Sequence, residues 1–251
     1  MGNYRDLNDK VVLITGANGG MGLAIAEARA CQGARVVASD IQPEVHETLR
    51  GASEIRYLRA DVTSESEVIA LIDETVRLYG ALDCAVNTAA VEFELAGLAD
   101  CETDDFDRMM AVNLRGLFLC MKYEIRAMQA LGQKASIVNM ASTTSVQPGQ
   151  KQPVYSTSKH GVLGMTRQAA LDYVGEGIRI NAVAPGNIDT PMLQNALARR
   201  GLESEKVETV MPMKRFGQPR EIADAVLWLC SDASSFTTGH MLAVEGGMLL
   251  T

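Results

Sequence analysis

The sequence predicts an α/β protein with one doubly wound sheet of about seven parallel strands, forming a single domain over residues 1–251. Three observations predict it. Short, almost wholly apolar runs recur from end to end, separated by stretches with helical spacing. Strands covered on both faces have no reason to alternate polar with apolar residues, whereas half-solvated strands do. The first run leads at once into a glycine-rich turn and then a helical pattern. No linker, internal repeat or low-complexity tract interrupts the alternation, and right-handed helical crossovers join such strands.

The strand candidates are residues 11–14, 35–38, 55–58, 82–86, 136–139, 178–183 and 241–244. The second ends at Asp40 and the third near Asp61. A helix opens at Leu23 and Gly33 closes it, since glycine takes up the left-handed turn past a helix end at little cost. Two longer helices are expected over 103–131 and 153–174, the first interrupted at Gly116. Residues 191–212 have helical patterning but break the alternation, so an inserted lid is expected at about 190–213.

A hydrophobic content of 47% over 251 residues can fill one large core. The net charge of −8 argues against nucleic acid, because phosphate binding needs clustered cations. No apolar run approaches the ~18 residues of a membrane span, and residues 1–10 are polar without a signal-peptide core. A cytoplasmic protein with neither membrane nor nucleic-acid partner is expected. The five cysteines are odd in number with no CxxC spacing, so free buried thiols are expected. His46, His160 and His240 are scattered, and no metal site is expected.

The turn Thr15-Gly16-Ala17-Asn18-Gly19-Gly20-Met21-Gly22 lies between the first strand and the first helix. Glycines 16, 20 and 22 would let the backbone approach a pyrophosphate, and the helix N-terminus would meet it with free N–H groups. Asp40 stands 24 residues after Gly16, where an acid can bond an adenosine ribose and repel a 2′-phosphate. Asn18 and Ile41 supply no cation to hold such a phosphate. The cofactor expected is therefore NAD. Asp61 and Val62 end the third strand and would reach the adenine, or Asp61 would cap the helix after Thr63.

Tyr155 and Lys159 are four apart near the start of a helix, which puts both on one face. A cation and a helix N-terminus both favour phenolate, and such a tyrosine can exchange a proton with a substrate oxygen. Ser142 lies at the end of the fifth strand, where it could donate a hydrogen bond to the same oxygen. Thr143 and Ser145 are rival candidates for that role.

Taken in order, the motifs resemble the short-chain dehydrogenase/reductase family over nearly the whole chain. They are Thr15 to Gly22, Asp61-Val62, Asn87-Thr88-Ala89-Ala90, Asn113 in Val-Asn-Leu-Arg-Gly, Ser142, Tyr155-Ser-Thr-Ser-Lys159, Pro185-Gly186 with Thr190, and the closing stretch from Asp232 to Gly247. The resemblance implies a Rossmann-type fold and a homotetramer. It implies that Tyr155 is the general acid/base and that Ser142 orients the substrate carbonyl or hydroxyl. Lys159 would lower the tyrosine pKa and hold the nicotinamide ribose, and Asn113 would support a water relay reaching it. Asn87, Ala89, Pro185 and Gly186 would border the cofactor, with the Ile188 backbone and Thr190 anchoring the carboxamide. Two positions depart from the family pattern: Ala90 replaces a glycine, and Glu245 an aspartate.

The substrate site would be lined by residues 91–95 and 143–152, by Asn187, and by the segment 192–213, which supplies Met192, Leu193, Leu197, Leu202, Met211 and Met213. Thr143, Gln152, Asn187 and Met192 are the named candidates beside Ser142. Flexible methionines suit an apolar ligand, although these side chains could equally pack the lid onto the body. The expected reaction interconverts a small or medium apolar secondary alcohol, cyclic ones included, and its ketone. The alternatives are a 3-oxoacyl-carrier ketoreductase, docking through Arg108, Arg115, Lys122 and Arg126, and a catalytically silent dinucleotide-binding scaffold.

Overall fold

The computed structural model describes residues 4–251; residues 1–3 of the polar N-terminal stretch lie outside the described residues. Seven strands form one sheet: β1 (Val11–Thr15), β2 (Arg35–Asp40), β3 (Ile55–Arg59), β4 (Cys84–Asn87), β5 (Ala135–Met140), β6 (Ile178–Pro185) and β7 (Met241–Val244). Their order is β3-β2-β1-β4-β5-β6-β7, and every pairing is parallel. The chain winds outward from β1 to β3, then returns to pair β4 on the other side of β1. The strand order reverses there, opening a crevice beyond the carboxyl ends of β1 and β4.

Successive strand residues enter different cores, which is why the strands read as unbroken apolar runs. Leu13, Val37, Ala85 and Ile137 face α2 (Glu65–Tyr79), α4 (Leu117–Leu131) and α5 (Pro153–Tyr173). Val12, Ile14, Val36 and Val138 face α1 (Gly20–Ala30) and α8 (Pro219–Cys230) on the opposite side.

Three local differences from the sequence reading have physical causes. Helix α1 begins at Gly20 rather than Leu23, because its first turn is glycine-rich and does not carry the apolar spacing that marks the rest. The expected 103–131 helix is α3 (Thr103–Met110), a wide π-helical turn (Ala111–Gly116) and α4. Gly116 ends that turn where Val62 approaches; a Cβ there would sit 2.9 Å from the valine Cγ2. Residues 191–212 contain two helices, α6 (Pro191–Arg200) and α7 (Ser204–Val210).

Among the described residues no helix is long and apolar enough to cross a membrane, and no His, Cys, Asp or Glu cluster could hold a metal. All five cysteines are free thiols; Cys31 is exposed and Cys101 half-buried, so the expectation that all are buried fails at those two.

Candidate active site

The crevice holds a cleft of about 350 Å³. Gly16, Gly20, Met21, Gly22, Asp40, Ile41, Asp61, Val62, Ala89 and Thr190 line it, as expected from the sequence, together with Gly19, Ser39, Thr88, Val91, Val112 and Pro191. The glycines act differently from one another. Gly16 has φ +67°, and a Cβ would lie 2.7 Å from the Ala89 nitrogen. At Gly22 a Cβ would lie 2.1 Å from the Gly16 carbonyl oxygen. These two glycines let α1, β1 and β4 close on one another. Gly19 and Gly20 instead leave space: nothing stands within 4 Å of a Cβ at Gly19. No side chain caps α1, so its first N–H groups are open to an anion. An uncapped helix start at one end and a carboxylate at the other fit a dinucleotide's pyrophosphate and ribose.

Asp40 also organises the loop around it: its carboxylate accepts N–H bonds from Asn18 at 3.2 Å and Gln42 at 3.3 Å. Asn18 therefore does not line the cleft. Its side chain donates to the Glu44 carbonyl at 2.8 Å and accepts from the His46 N–H. Asp61 both lines the cleft and caps a turn, accepting from the Thr63 N–H at 2.9 Å. The expectation that no cation stands near Asp40 needs correction. Arg59 pairs with it in sheet register and donates to the Ile41 carbonyl at 3.2 Å. Glu67 neutralises that guanidinium at 3.2 Å. Sequence separation hid this cation, which arrives from the neighbouring strand.

A second cleft, about 370 Å³, adjoins the first, and Met21, Thr190 and Met192 line both. It contains Ser142, Thr143, Gln152, Tyr155, Asn187 and Met192, with Pro185, Gly186 and Ile188 on its floor. Ser142 lines this cleft with Tyr155 and accepts the Thr144 N–H at 3.2 Å. Its rival Ser145 is buried and accepts the Ser142 N–H at 3.2 Å, a structural use that removes it from the site. Burial pushes the Tyr155 phenol up to about 12; the Ser142 bond pulls it down and the Glu92 carboxylate pushes it further up.

Lys159 stands under the Tyr155 ring, away from the phenol's own hydrogen-bond partners. Lys159 is buried, and its ammonium donates to the Met140 carbonyl at 2.8 Å and lies 5.7 Å from the Tyr155 ring centre. Burial pulls the lysine down to about 8. Asn113 sits in the π-helical turn and ties down the loop after β4, accepting the Val91 N–H at 2.8 Å and donating to its carbonyl at 2.9 Å. A cavity of about 10 Å³ lies among Asn113, Asn87 and Lys159, about one water in size. Asn87 thus lines the interior and not the cofactor cleft.

Comparison with known proteins gives the family. A family profile described as Enoyl-(Acyl carrier protein) reductase matches residues 16–249. The 2,5-dichloro-2,5-cyclohexadiene-1,4-diol dehydrogenase of Sphingobium indicum is 41% identical over 244 residues, covering 96% of this chain and 98% of the relative. This chain is a short-chain dehydrogenase/reductase. The crystal structure of levodione reductase superimposes with a TM-score of 0.93 at 34% identity, over 97% of this chain and 99% of that one. A structure of ElxO with NADP bound gives a TM-score of 0.90 at 31% identity, over 97% and 100%.

Within the short-chain dehydrogenase/reductase frame, the two departures are accommodated. Ala90 lines the first cleft, and the Glu245 carboxylate accepts the Leu249 N–H at 3.0 Å. The lid side chains divide. Met192 and Leu193 line the second cleft, with Ala196 of the same segment. Leu197 and Met211 instead pack with Phe216 in a small core of their own. Leu202 and Met213 are 49% and 58% exposed, so neither lines it. Glu92 also lines this cleft, its buried side chain paired with Arg199 and 3.9 Å from Arg200 at the end of α6. It fell within the stretch expected to line the site, but an acidic residue in an irregular segment carries no distinguishing pattern.

Proposed function

We propose that this chain is an NAD-linked dehydrogenase interconverting a cyclic secondary alcohol and its ketone, with Tyr155 as the proton-transfer residue. One observation carries the reading: Ser142 and Tyr155 line one cleft together, and that cleft adjoins the glycine-lined one. When bound, the nicotinamide supplies the hydride acceptor or donor. In oxidation Tyr155 takes the hydroxyl proton, and in reduction it returns one. Ser142 donates to the substrate oxygen and holds it against the phenol. Lys159 holds the cofactor ribose and, with Asn113 and the cavity between them, supplies a route for the proton. Residues 190–213 form the lid, and the molecule is one catalytic domain. The diol dehydrogenase similarity supports a ring-borne alcohol, and the half-apolar second cleft can receive one. The docking cations of the acyl-carrier alternative are engaged elsewhere: Lys122 pairs with Glu65 at 2.8 Å and Arg115 donates to the Thr63 carbonyl at 2.7 Å. Absorbance at 340 nm with a panel of cyclic alcohols and ketones tests the reading. Tight cofactor binding with silence across the panel would favour the scaffold alternative.

NAD preference follows from Asp40, whose carboxylate would stand against a 2′-phosphate. Repulsion in a partly buried site should exceed ~1.4 kcal/mol, about tenfold in affinity. The kcat/KM ratio is expected to favour NAD in the wild type. It should fall markedly in Asp40→Ala with Ile41→Arg, where Arg59 becomes a second cation for the phosphate. A wild type preferring NADP, or a double variant with an unchanged ratio, would show that Asp40 does not read the ribose.

The protein is further proposed to be a cytoplasmic homotetramer. Phe118 on α4 and Leu171 on α5 are exposed, the latter at 74%, and Leu250 at the chain end is exposed too. Covering such side chains stabilises an assembly. Sedimentation at micromolar concentration is expected to show a species near four times 27.0 kDa; a monomer would refute this.

A further inference from the structure

The helix that carries Tyr155 and Lys159 has an unusual N-terminus. The first N–H groups of any α-helix lack intrahelical partners, and Gln152, at the cap position of α5, makes no side-chain cap bond. The partner comes from 60 residues earlier. Glu94, in the irregular stretch after β4 and 6% exposed, accepts the Val154 N–H through Oε1 at 2.9 Å. Its Oε2 accepts the Tyr155 N–H at 2.7 Å. A carboxylate suits this position, because the helix end is positive and charge-assisted bonds are the stronger ones.

The loop presenting Glu94 has little slack. Three residues before it, Val91 is held through both backbone groups by the Asn113 side chain. Two residues before it, Glu92 is tied to Arg199. The Cys101 thiol donates to Glu94 Oε1 at 3.9 Å. Asn113, the loop and the first turn of α5 therefore form one mechanically continuous unit. A grip on two successive N–H groups fixes both the place and the tilt of the turn, whereas a single bond would leave a rotation free.

We infer that Glu94 is a positioning residue for proton transfer: by gripping the Val154 and Tyr155 amides it sets where the phenol oxygen stands relative to Ser142 and the substrate. The inference rests on the reading of Tyr155 given above. Glu94 works through geometry, since the groups that perturb the phenol are burial, Ser142 and Glu92.

Glu94→Ala and Glu94→Gln in the full chain test it with two readouts. The first, amide hydrogen exchange at Val154 and Tyr155, needs no activity. Protection is expected to fall at least ~10-fold in the alanine variant and less in the glutamine variant, which keeps one acceptor, while the second half of α5 exchanges as in wild type. The second is kinetics. In Glu94→Ala, kcat should fall about 10- to 100-fold while cofactor affinity by fluorescence stays within about twofold. The solvent deuterium isotope effect on kcat should rise, because the proton step is slowed selectively, and Glu94→Gln should recover part of the rate. Wild-type exchange, or wild-type kcat, in the alanine variant overturns the inference. So does a parallel loss of cofactor affinity and rate, which would mark a merely structural role. If the alanine variant does not fold, the glutamine variant alone must show the intermediate exchange and rate. A fully active Tyr155→Phe would sink the reading of Tyr155 while leaving the exchange result to judge the grip itself.

Discussion

Tyr155→Phe is expected to lower kcat by at least ~10²-fold in both directions, the lower range for losing an acid–base group, and to leave cofactor affinity close to wild type. The phenol borders the second cleft, beside Ser142, while the open helix start and Asp40 belong to the first. Removing one oxygen should therefore leave the dinucleotide contacts intact and remove the transferable proton. Because burial holds the phenol at about 12, the phenolate is scarce near neutrality. Alcohol oxidation, which needs the deprotonated form, should quicken toward alkaline pH, and ketone reduction should not. Steady-state rates at 340 nm and a fluorescence titration of the cofactor separate these effects. A phenylalanine variant that keeps most of its activity would show that another group moves the proton.

Glu124→Gln is expected to stabilise the protein at pH 8 by about 3 kcal/mol and to change little at pH 4.5. Glu124 on α4 is fully buried; one oxygen accepts the Asn87 amide at 3.0 Å and the other has no hydrogen-bond partner. Burial pushes its carboxyl up from 4.5 to about 7. The sign follows from the folded state holding this proton more tightly than the unfolded chain. Below pH 4.5 the acid is neutral in both states. Between 4.5 and about 7 only the unfolded chain ionises it, so stability falls as pH rises, and above 7 the full cost of a buried carboxylate is present. Glutamine keeps the acceptor for Asn87 and carries no charge. Lys159, held down to about 8, gives the opposite slope above that pH and does not overlap this window. Urea denaturation at pH 5 and pH 8 checks the difference; a wild type whose stability does not fall across this interval would refute it.

Asn87 and Glu124 show why one part of the structure was hard to foresee. Asn87 sits in a family motif and was expected at the cofactor, yet it donates to Glu124 and, at 3.1 Å, to Asn139, which donates to Thr166 at 2.9 Å. These residues come from two strands and two helices. Each looks unremarkable in its own segment, because a buried polar network has no periodicity and no local composition. The helix boundaries failed more mildly. Gly116 marked an interruption correctly, but whether the helix would stop or widen into a π-helical turn depended on Val62 packing against it.

The strands, their parallel pairing, the glycine-rich turn and the family were determined by the sequence alone. Each rests on short-range information: apolar runs too unbroken for half-solvated strands, glycines at fixed offsets, and a tyrosine and lysine one helical turn apart. The tertiary structure alone decided which groups meet. It brought Arg59 beside Asp40, kept Asn18 out of the first cleft and Ser145 out of the second, and buried Lys159. It also set Glu92 in the substrate cleft and Glu94 on the amide of Tyr155. Interactions of this kind fall off within a few ångströms while their partners lie tens of residues apart, so only the folded chain puts them in reach of one another.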